Sequence, residues 1–238
     1  MSSIPLIEAR DLCREHPQGE QTVAALRHVH LRIEAGEFVA LAGPSGSGKT
    51  SLLNLLGALD RPSSGALHLD GQDLAQLSKT ELAGLRLHKL GFVFQHYSLI
   101  PVLSALENVE YVLVLQGVPP AERRQRAAEA LAAVGLGELL DRRPDQLSGG
   151  QQQRVAVARA IVGRPSLVLA DEPTANLDSD TGDGLLALMR DLNQRTGTSF
   201  VIATHDSRVM QSASRLVRLK DGAIVEDSAH ALPEACPA

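Results

Sequence analysis

Aromatic side chains make up only 3% of the 238 residues, and tryptophan is absent. With few rings to stack on bases and a formal net charge of −5, the composition argues against a nucleic-acid binder. The local clusters Arg123-Arg124 with Arg126, and Arg142-Arg143, read as solvated faces. Cysteine is scarce too. Cys13 and Cys236 lie at opposite ends, unspaced for a metal and unlike a disulfide framework, so a reducing compartment is expected. No run of some eighteen apolar residues occurs, so no membrane-spanning helix is expected, and Met1-Ser2-Ser3-Ile4-Pro5 lacks the regions of a signal peptide. Cys236 stands third from last, where a prenylation box needs it fourth from last.

What is present is ordinary for a globular chain, 44% apolar and 21% charged, which is enough to bury a core. The most informative stretch is Gly43-Pro44-Ser45-Gly46-Ser47-Gly48-Lys49-Thr50, preceded by the apolar run Phe38-Val39-Ala40-Leu41-Ala42 and followed by Ser51-Leu52-Leu53. It reads as strand, phosphate loop, helix. Glycines let successive backbone N–H groups turn inward around a polyphosphate, and the following helix adds its positive end. In that reading Lys49 reaches the β- and γ-phosphates and the Thr50 hydroxyl binds Mg²⁺. The Gly-x-x-x-x-Gly-Lys-Thr spacing alone arises by chance in roughly one chain in a hundred of this length.

Upstream, short apolar bursts separated by polar and glycine breaks predict a small antiparallel β layer over residues 4–42. A helix is expected from Thr50 to about Leu59, and a short strand at Ala66-Leu67-His68-Leu69, with His68 a surface residue. Gly91-Phe92-Val93-Phe94 reads as a buried strand ending at Gln95. From there to about Gly163 helical signals dominate: Ser104-x-x-Glu107 opens one helix and Pro119-Pro120 another, with Glu122 and Arg126 paired. The apolar strand pattern resumes at Ser166–Ala170 and again at Ser199–Ala203, with a helix from about Asp180 to Gln194 between them. A hairpin about Lys220-Asp221-Gly222 follows, and residues 227–238 are expected to be a loose tail.

A phosphate loop alone leaves kinases, GTPases and motor ATPases open. Leu147-Ser148-Gly149-Gly150-Gln151, followed by Leu167-Val168-Leu169-Ala170-Asp171-Glu172-Pro173-Thr174, resembles the signature and acidic-strand pair of ATP-binding cassette (ABC) ATPases. Gln95, Ala175-Asn176-Leu177-Asp178 and Thr204-His205-Asp206 complete six motifs in that family's order and spacing. The resemblance covers nearly the whole chain. It implies an α/β fold, a P-loop NTPase core (1–95 and 164–238) with an N-terminal antiparallel β layer and an inserted helical subdomain (96–163). Ser148 to Gln151 is also simply a Ser-x-x-Gln capping box, and such a glycine-opened helix start exposes N–H groups suited to a phosphate.

The resemblance further implies that Ser148, Gly149, Gly150 and Gln151 meet the nucleotide held by Gly43 to Thr50 and Ser51 of a second copy, in a head-to-tail dimer around two ATP. Asp171 resembles a Mg²⁺ holder, Glu172 the residue that activates water, His205 the switch histidine at the γ-phosphate. Gln95 resembles the residue touching Mg²⁺ and water, and Asp178 the one linking the two sites. The adenine ring commonly stacks on a tyrosine where this chain has His16, a departure from the pattern. Around Leu52 to Pro62, His96 to Val109 and Asp171 to Ser179 the wording is similar to a bacterial branch of lipoprotein-releasing, macrolide-export and cell-division ATPases. That branch implies a membrane permease partner and a cytoplasmic place on the inner face of the membrane; the apolar stretch His96 to Val109, with Leu99 and Val102, suits a groove for a partner's short helix as well as it suits ordinary internal packing, and no nucleic-acid partner is expected from the composition. A soluble ABC ATPase of DNA repair or translation, a small-molecule P-loop kinase, or a nucleotide-locked structural protein are the alternatives.

Overall fold

Three serines decide where three of the helices begin. Ser78, Ser104 and Ser148 stand three residues before Glu81, Glu107 and Gln151, and in the computed structural model each pair closes a reciprocal capping box. The serine Oγ accepts from the N–H of the third residue, whose side chain accepts from the serine N–H, so two otherwise orphaned donors are satisfied. The structure describes residues 4–18 and 21–229. The chain divides into two compact units, residues 1–75 with 201–238, and residues 76–200.

The first unit contains the expected antiparallel layer, four strands in the order β2-β1-β4-β5. These are β1 (Ile7–Gln18), β2 (Gln21–Ile33), β4 (Ser64–Leu69) and β5 (Gln72–Asp73). β1 reaches 12 residues by shifting register against β2 between Ala9 and Leu12, and twice more by Glu15, which lets Ile7, Ala9 and Leu12 all stay buried. Four further strands run in the order β10-β9-β3-β8: β3 (Phe38–Ala42), the end of β8 (Ser199–Thr204), β9 (Arg215–Lys220) and β10 (Ala223–Ala229). β3 pairs parallel with β9, and all five of its residues are buried, as suits a strand covered on both faces. Helices α1 (Lys49–Leu56) and α7 (Ser207–Ser212) complete the unit. α1 stops short of Leu59 because Gly57 caps it and Ala58 turns to a left-handed φ of 51°.

The chain beyond Glu226 is not a loose tail from its start. β10 continues through Ala229 against β9, and Asp227 accepts from Arg215 Nε and Nη2 at 2.8 Å each. Residues 230–238 of that expected tail, with Cys236, lie outside the described residues.

The second unit pairs β6 (Leu90–Val93) with β7 (Leu167–Asp171) in parallel, Leu90 opposite Leu167 and Val93 opposite Ala170. β6 ends one residue earlier than the sequence predicts: Phe94 lies beyond it, its ring stacked on Phe92 at 6.0 Å. Around them stand α2 (Lys79–Lys89), α3 (Ala105–Leu115), α4 (Pro120–Ala133), α5 (Gly149–Ile161) and α6 (Ser179–Thr196). α2 was not expected, although its capping box is legible at Ser78-x-x-Glu81. The arginines read as solvated faces partly serve as struts instead. Arg123 donates to Glu110 at 2.6 Å, joining α3 to α4, and Arg126 reaches Glu122 at 3.4 Å and the Val162 carbonyl at 2.9 Å. Arg154 of α5 donates to the Val134 carbonyl at the end of α4 at 3.0 Å, a favourable place for a cation. Among the described residues no helix is long and apolar enough to cross a membrane.

Gly91 fixes how closely α5 approaches β6, because a Cβ there would run into the Ala160 carbonyl and the Val168 side chain. Gly91→Ala is therefore expected to destabilise the chain by about 1–3 kcal/mol through overpacking. Urea titration checks this as a lowered midpoint at unchanged slope.

Candidate functional site

In the first unit the buried strand β3 delivers the chain to the phosphate loop, and the loop to α1. Gly48, at φ 103°, is the N-cap of α1, which has neither a side-chain cap nor an acidic residue in its first turn. Its first N–H groups thus point outward without a competing carboxylate. The loop is braced from within by Ser47 N–H donating to Pro44 O at 3.2 Å, and from the β9–β10 turn by Gly222 N–H donating to Ser47 O at 3.1 Å. Lys49 is only 7% exposed, and its Nζ donates to the Gly43 and Pro44 carbonyls at 2.8 and 3.1 Å. A buried ammonium needs such acceptors. Ser47 Oγ is also buried, with no hydrogen-bond partner in the structure. Pro44, Ser45, Gly46 and Thr50 are exposed, and Ser51 is half-buried.

His205 follows directly on the buried end of β8 and is exposed. The turn it occupies is held by Asp206, whose N–H donates to Thr204 Oγ1 at 2.9 Å and whose carboxylate caps α7 and pairs with Arg208 at 2.7 Å. His16 stands on β1 opposite Val23, half-buried.

In the second unit Asp171 is the last residue of β7, and Glu172 takes a left-handed φ of 46°. A non-glycine residue in that region costs energy and marks a place where geometry is imposed. The chain then turns through Asn176, whose Nδ2 donates to the Gln95 carbonyl at 2.9 Å, to Asp178, the N-cap of α6. The Thr181 N–H, 3.0 Å from Asp178 Oδ1, holds that carboxyl below the usual carboxylate range. The cap is accordingly kept above the ordinary carboxylate pKa and lost only as pH falls through the lowered one.

The two glycines that open α5 have steric reasons. A Cβ on Gly149 would lie 2.8 Å from the Tyr97 hydroxyl, and one on Gly150 would collide with Thr181 Cγ2. Tyr97 and Thr181 thus flank a helix start that presents bare backbone. The second unit brings together the Gln95 segment, Ser148 to Gln151 and the Asn176–Asp178 turn, while the phosphate loop, His16 and His205 belong to the first. Sequence reading did not single out Tyr97 or Thr181, and gave Asn176 only as a member of a motif, without a task. Their role is contact across many residues, for which no local pattern exists.

The segment after Gln95 is held just as firmly. Arg159 donates to the Ser98 and Tyr97 carbonyls at 2.6 and 2.9 Å. Asn108, 1% exposed, accepts from Ile100 N–H at 2.8 Å and donates to the carbonyls of Ile100, Leu103 and Ser104. Leu99 is half-buried, whereas Val102 is 71% exposed, and Tyr111, Val114 and Leu115 of α3 are exposed as well. Among the described residues no group of three or more His, Cys, Asp or Glu side chains is arranged to hold a metal ion.

Residues 26–175, from β2 through the phosphate loop to the turn after Glu172, match the model of the ABC transporter family. The chain belongs to that family. It is 48% identical over 235 residues to the macrolide export ATP-binding/permease protein MacB of Marinobacter nauticus, covering 99% of this chain and 36% of the relative. With the MacB protein of Bordetella avium it shares 49% identity, again covering 99% of this chain and 35% of the relative. The chain thus spans about a third of the length of these curated relatives. Among solved structures it is similar to the dimeric ATP-binding cassette MJ0796 in a post-hydrolysis state bound to ADP and Pi, with TM-score 0.87 and 42% identity over 94% of this chain and 98% of that one. It is also similar to cbiO1 of Clostridium perfringens, part of the cbiONQ complex, with TM-score 0.86 and 28% identity over 95% and 89%. These matches bear out the α/β fold read from the six motifs.

The contact at Gly149 predicts a coupling. Gly149→Ala should destabilise the chain in the presence of the tyrosine hydroxyl, but be neutral or stabilising in the Tyr97→Phe background, where only the usual helical gain from alanine remains. A double-mutant cycle on urea unfolding should return a coupling of about 1 kcal/mol. Additive costs would show that the hydroxyl does not set the glycine.

Proposed function

We propose that the chain is the ATP-hydrolysing part of a membrane ABC transporter, acting as a head-to-tail pair of copies around two ATP molecules and driving an integral-membrane permease. The observation that carries the reading is Lys49, an almost fully buried ammonium whose acceptors are the loop's own carbonyls. Phosphate oxygens would be stronger, charge-assisted acceptors for it. The kinase alternative leaves Ser148-Gly149-Gly150 without a task and falls with family membership.

In this reading Gly43 to Ser51 wrap the phosphates, and His16 lies against the base. Ser148, Gly149, Gly150 and Gln151 offer helix N–H groups to the γ-phosphate of the partner copy's nucleotide, and Asp178 links the two sites. Glu172 takes a proton from the attacking water, which Gln95 helps to orient, while Lys49, His205 and the signature N–H groups stabilise charge on the phosphoryl group. Its displaced backbone fits a residue held for position rather than comfort. Thr50, Gln95 and Asp171 would hold Mg²⁺: each carries an oxygen, the donor type of this hard cation, which takes its other ligands from phosphates and water. Bound there, it would supply positive charge against the transferring phosphoryl group.

Val102, with the exposed face of α3, would receive the permease, placing the chain on the inner face of the cell membrane. In the same reading the cycle would pass force across the membrane to an extracytoplasmic domain of the permease. The helical stretch 96–163 would be the moving subdomain.

Glu172→Gln is expected to retain ATP binding while slowing turnover by roughly a hundred- to ten-thousand-fold. Phosphate release at saturating ATP, with equilibrium nucleotide binding alongside, checks this, and near-normal turnover would remove Glu172 from the base role. Replacing Leu99 and Val102 by serine should release the co-purifying permease and leave ATP binding intact. A complex that survives with coupling unchanged would put the docking surface elsewhere.

A further inference from the structure

Tyr97 and Ser98 are consecutive non-glycine residues at left-handed φ values of 60° and 49°. Two such residues in a row are costly and persist only when their surroundings impose them. Here the imposing group is Arg159, whose Nη2 and Nη1 take the two successive carbonyls in one planar fork. Arg159 sits ten residues after Gly149, about 15 Å further along the axis of α5. Its burial pulls the guanidinium below the ordinary arginine value. A half-buried guanidinium needs acceptors, and the two carbonyls supply them. Tyr97 therefore lies along α5, its carbonyl held from the third turn and its hydroxyl set against Gly149 at the first. Asn176 takes the Gln95 carbonyl.

We infer that Arg159 is a positioning residue for Gln95: it fixes the backbone just after Gln95 to the signature helix, so that Gln95 and the helix start at Ser148 to Gln151 keep one mutual arrangement. The inference rests on the hydrolase reading above. A lysine keeps the charge but offers a point donor in place of the fork, so Arg159→Lys should free one carbonyl and loosen the turn while preserving the packing of the stem.

The test uses the full chain with Arg159→Lys and Arg159→Gln. Amide hydrogen exchange without nucleotide should speed up at least about tenfold over residues 95–99, with the interior of α5 unchanged. With ATP and Mg²⁺, kcat should fall roughly 10- to 100-fold, the scale of a misplaced group, while the affinity for ATP stays within about twofold. Combined with Gln95→Ala, the Arg159 substitutions should add no further loss of kcat, because they act through Gln95. A purely structural role would lower kcat additively with Gln95→Ala, or leave exchange over 95–99 unchanged, and either result overturns the inference. So does loss of the cooperative urea transition in both variants, which would make Arg159 a stability residue. An unaltered chain without turnover would instead sink the hydrolase reading, which the exchange measurement does not depend on.

Discussion

A stretch of chain without helix or strand must still satisfy its backbone polar groups, and residues 95–103 meet that constraint with a few local backbone bonds, from the N–H groups of Tyr97, Ser98 and Leu103, and with side chains brought from elsewhere. Asn176 takes the carbonyl of Gln95, Arg159 those of Tyr97 and Ser98, and Asn108 both backbone groups of Ile100 and the carbonyl of Leu103. The donors come from the turn after Glu172, from the signature helix and from α3. An irregular segment tied to three elements is as well defined as the elements, and the second unit is organised about it. That is why Val102 can be 71% exposed at a fixed place: the backbone beneath it is anchored by a buried amide.

The first unit solves a different problem with the same economy of parts. A buried strand, an uncapped helix and a lysine folded back on its own loop assemble positive potential without a cluster of cations. Loop carbonyls hold Lys49 in place through good but neutral acceptors, a partner set readily exchanged for an anionic one.

Much of this was legible in the sequence. Gly43 to Thr50 announced strand, loop and helix, and the Ser104 and Ser148 boxes opened α3 and α5 where the spacing said they would, because capping is local chemistry. α2 has an equally clear box at Ser78 but only a weak apolar face, Leu82 being its one buried residue. Other features had no local signal. The contacts of Tyr97 with Gly149 and of Arg159 with Tyr97 join residues 52 and 62 apart. The arginines at 123 and 126 looked like solvated charges because sequence shows their sign and not their reach. The extension of β10 depends on Arg215 meeting Asp227 across a hairpin, which composition alone read as loosening.

That extension bears on solubility. Among the described residues β10 comes last in the strand order of its sheet, with no further strand of that sheet on its other side, and Val225 there is 57% exposed. Such an edge invites another chain to add on. Glu226 and Asp227 pair with Arg218 and Arg215 of the neighbouring strand β9, so the charges that close the hairpin stand within one strand of that edge. Fixed charges beside an edge strand are one of the means by which sheets discourage edge-to-edge pairing.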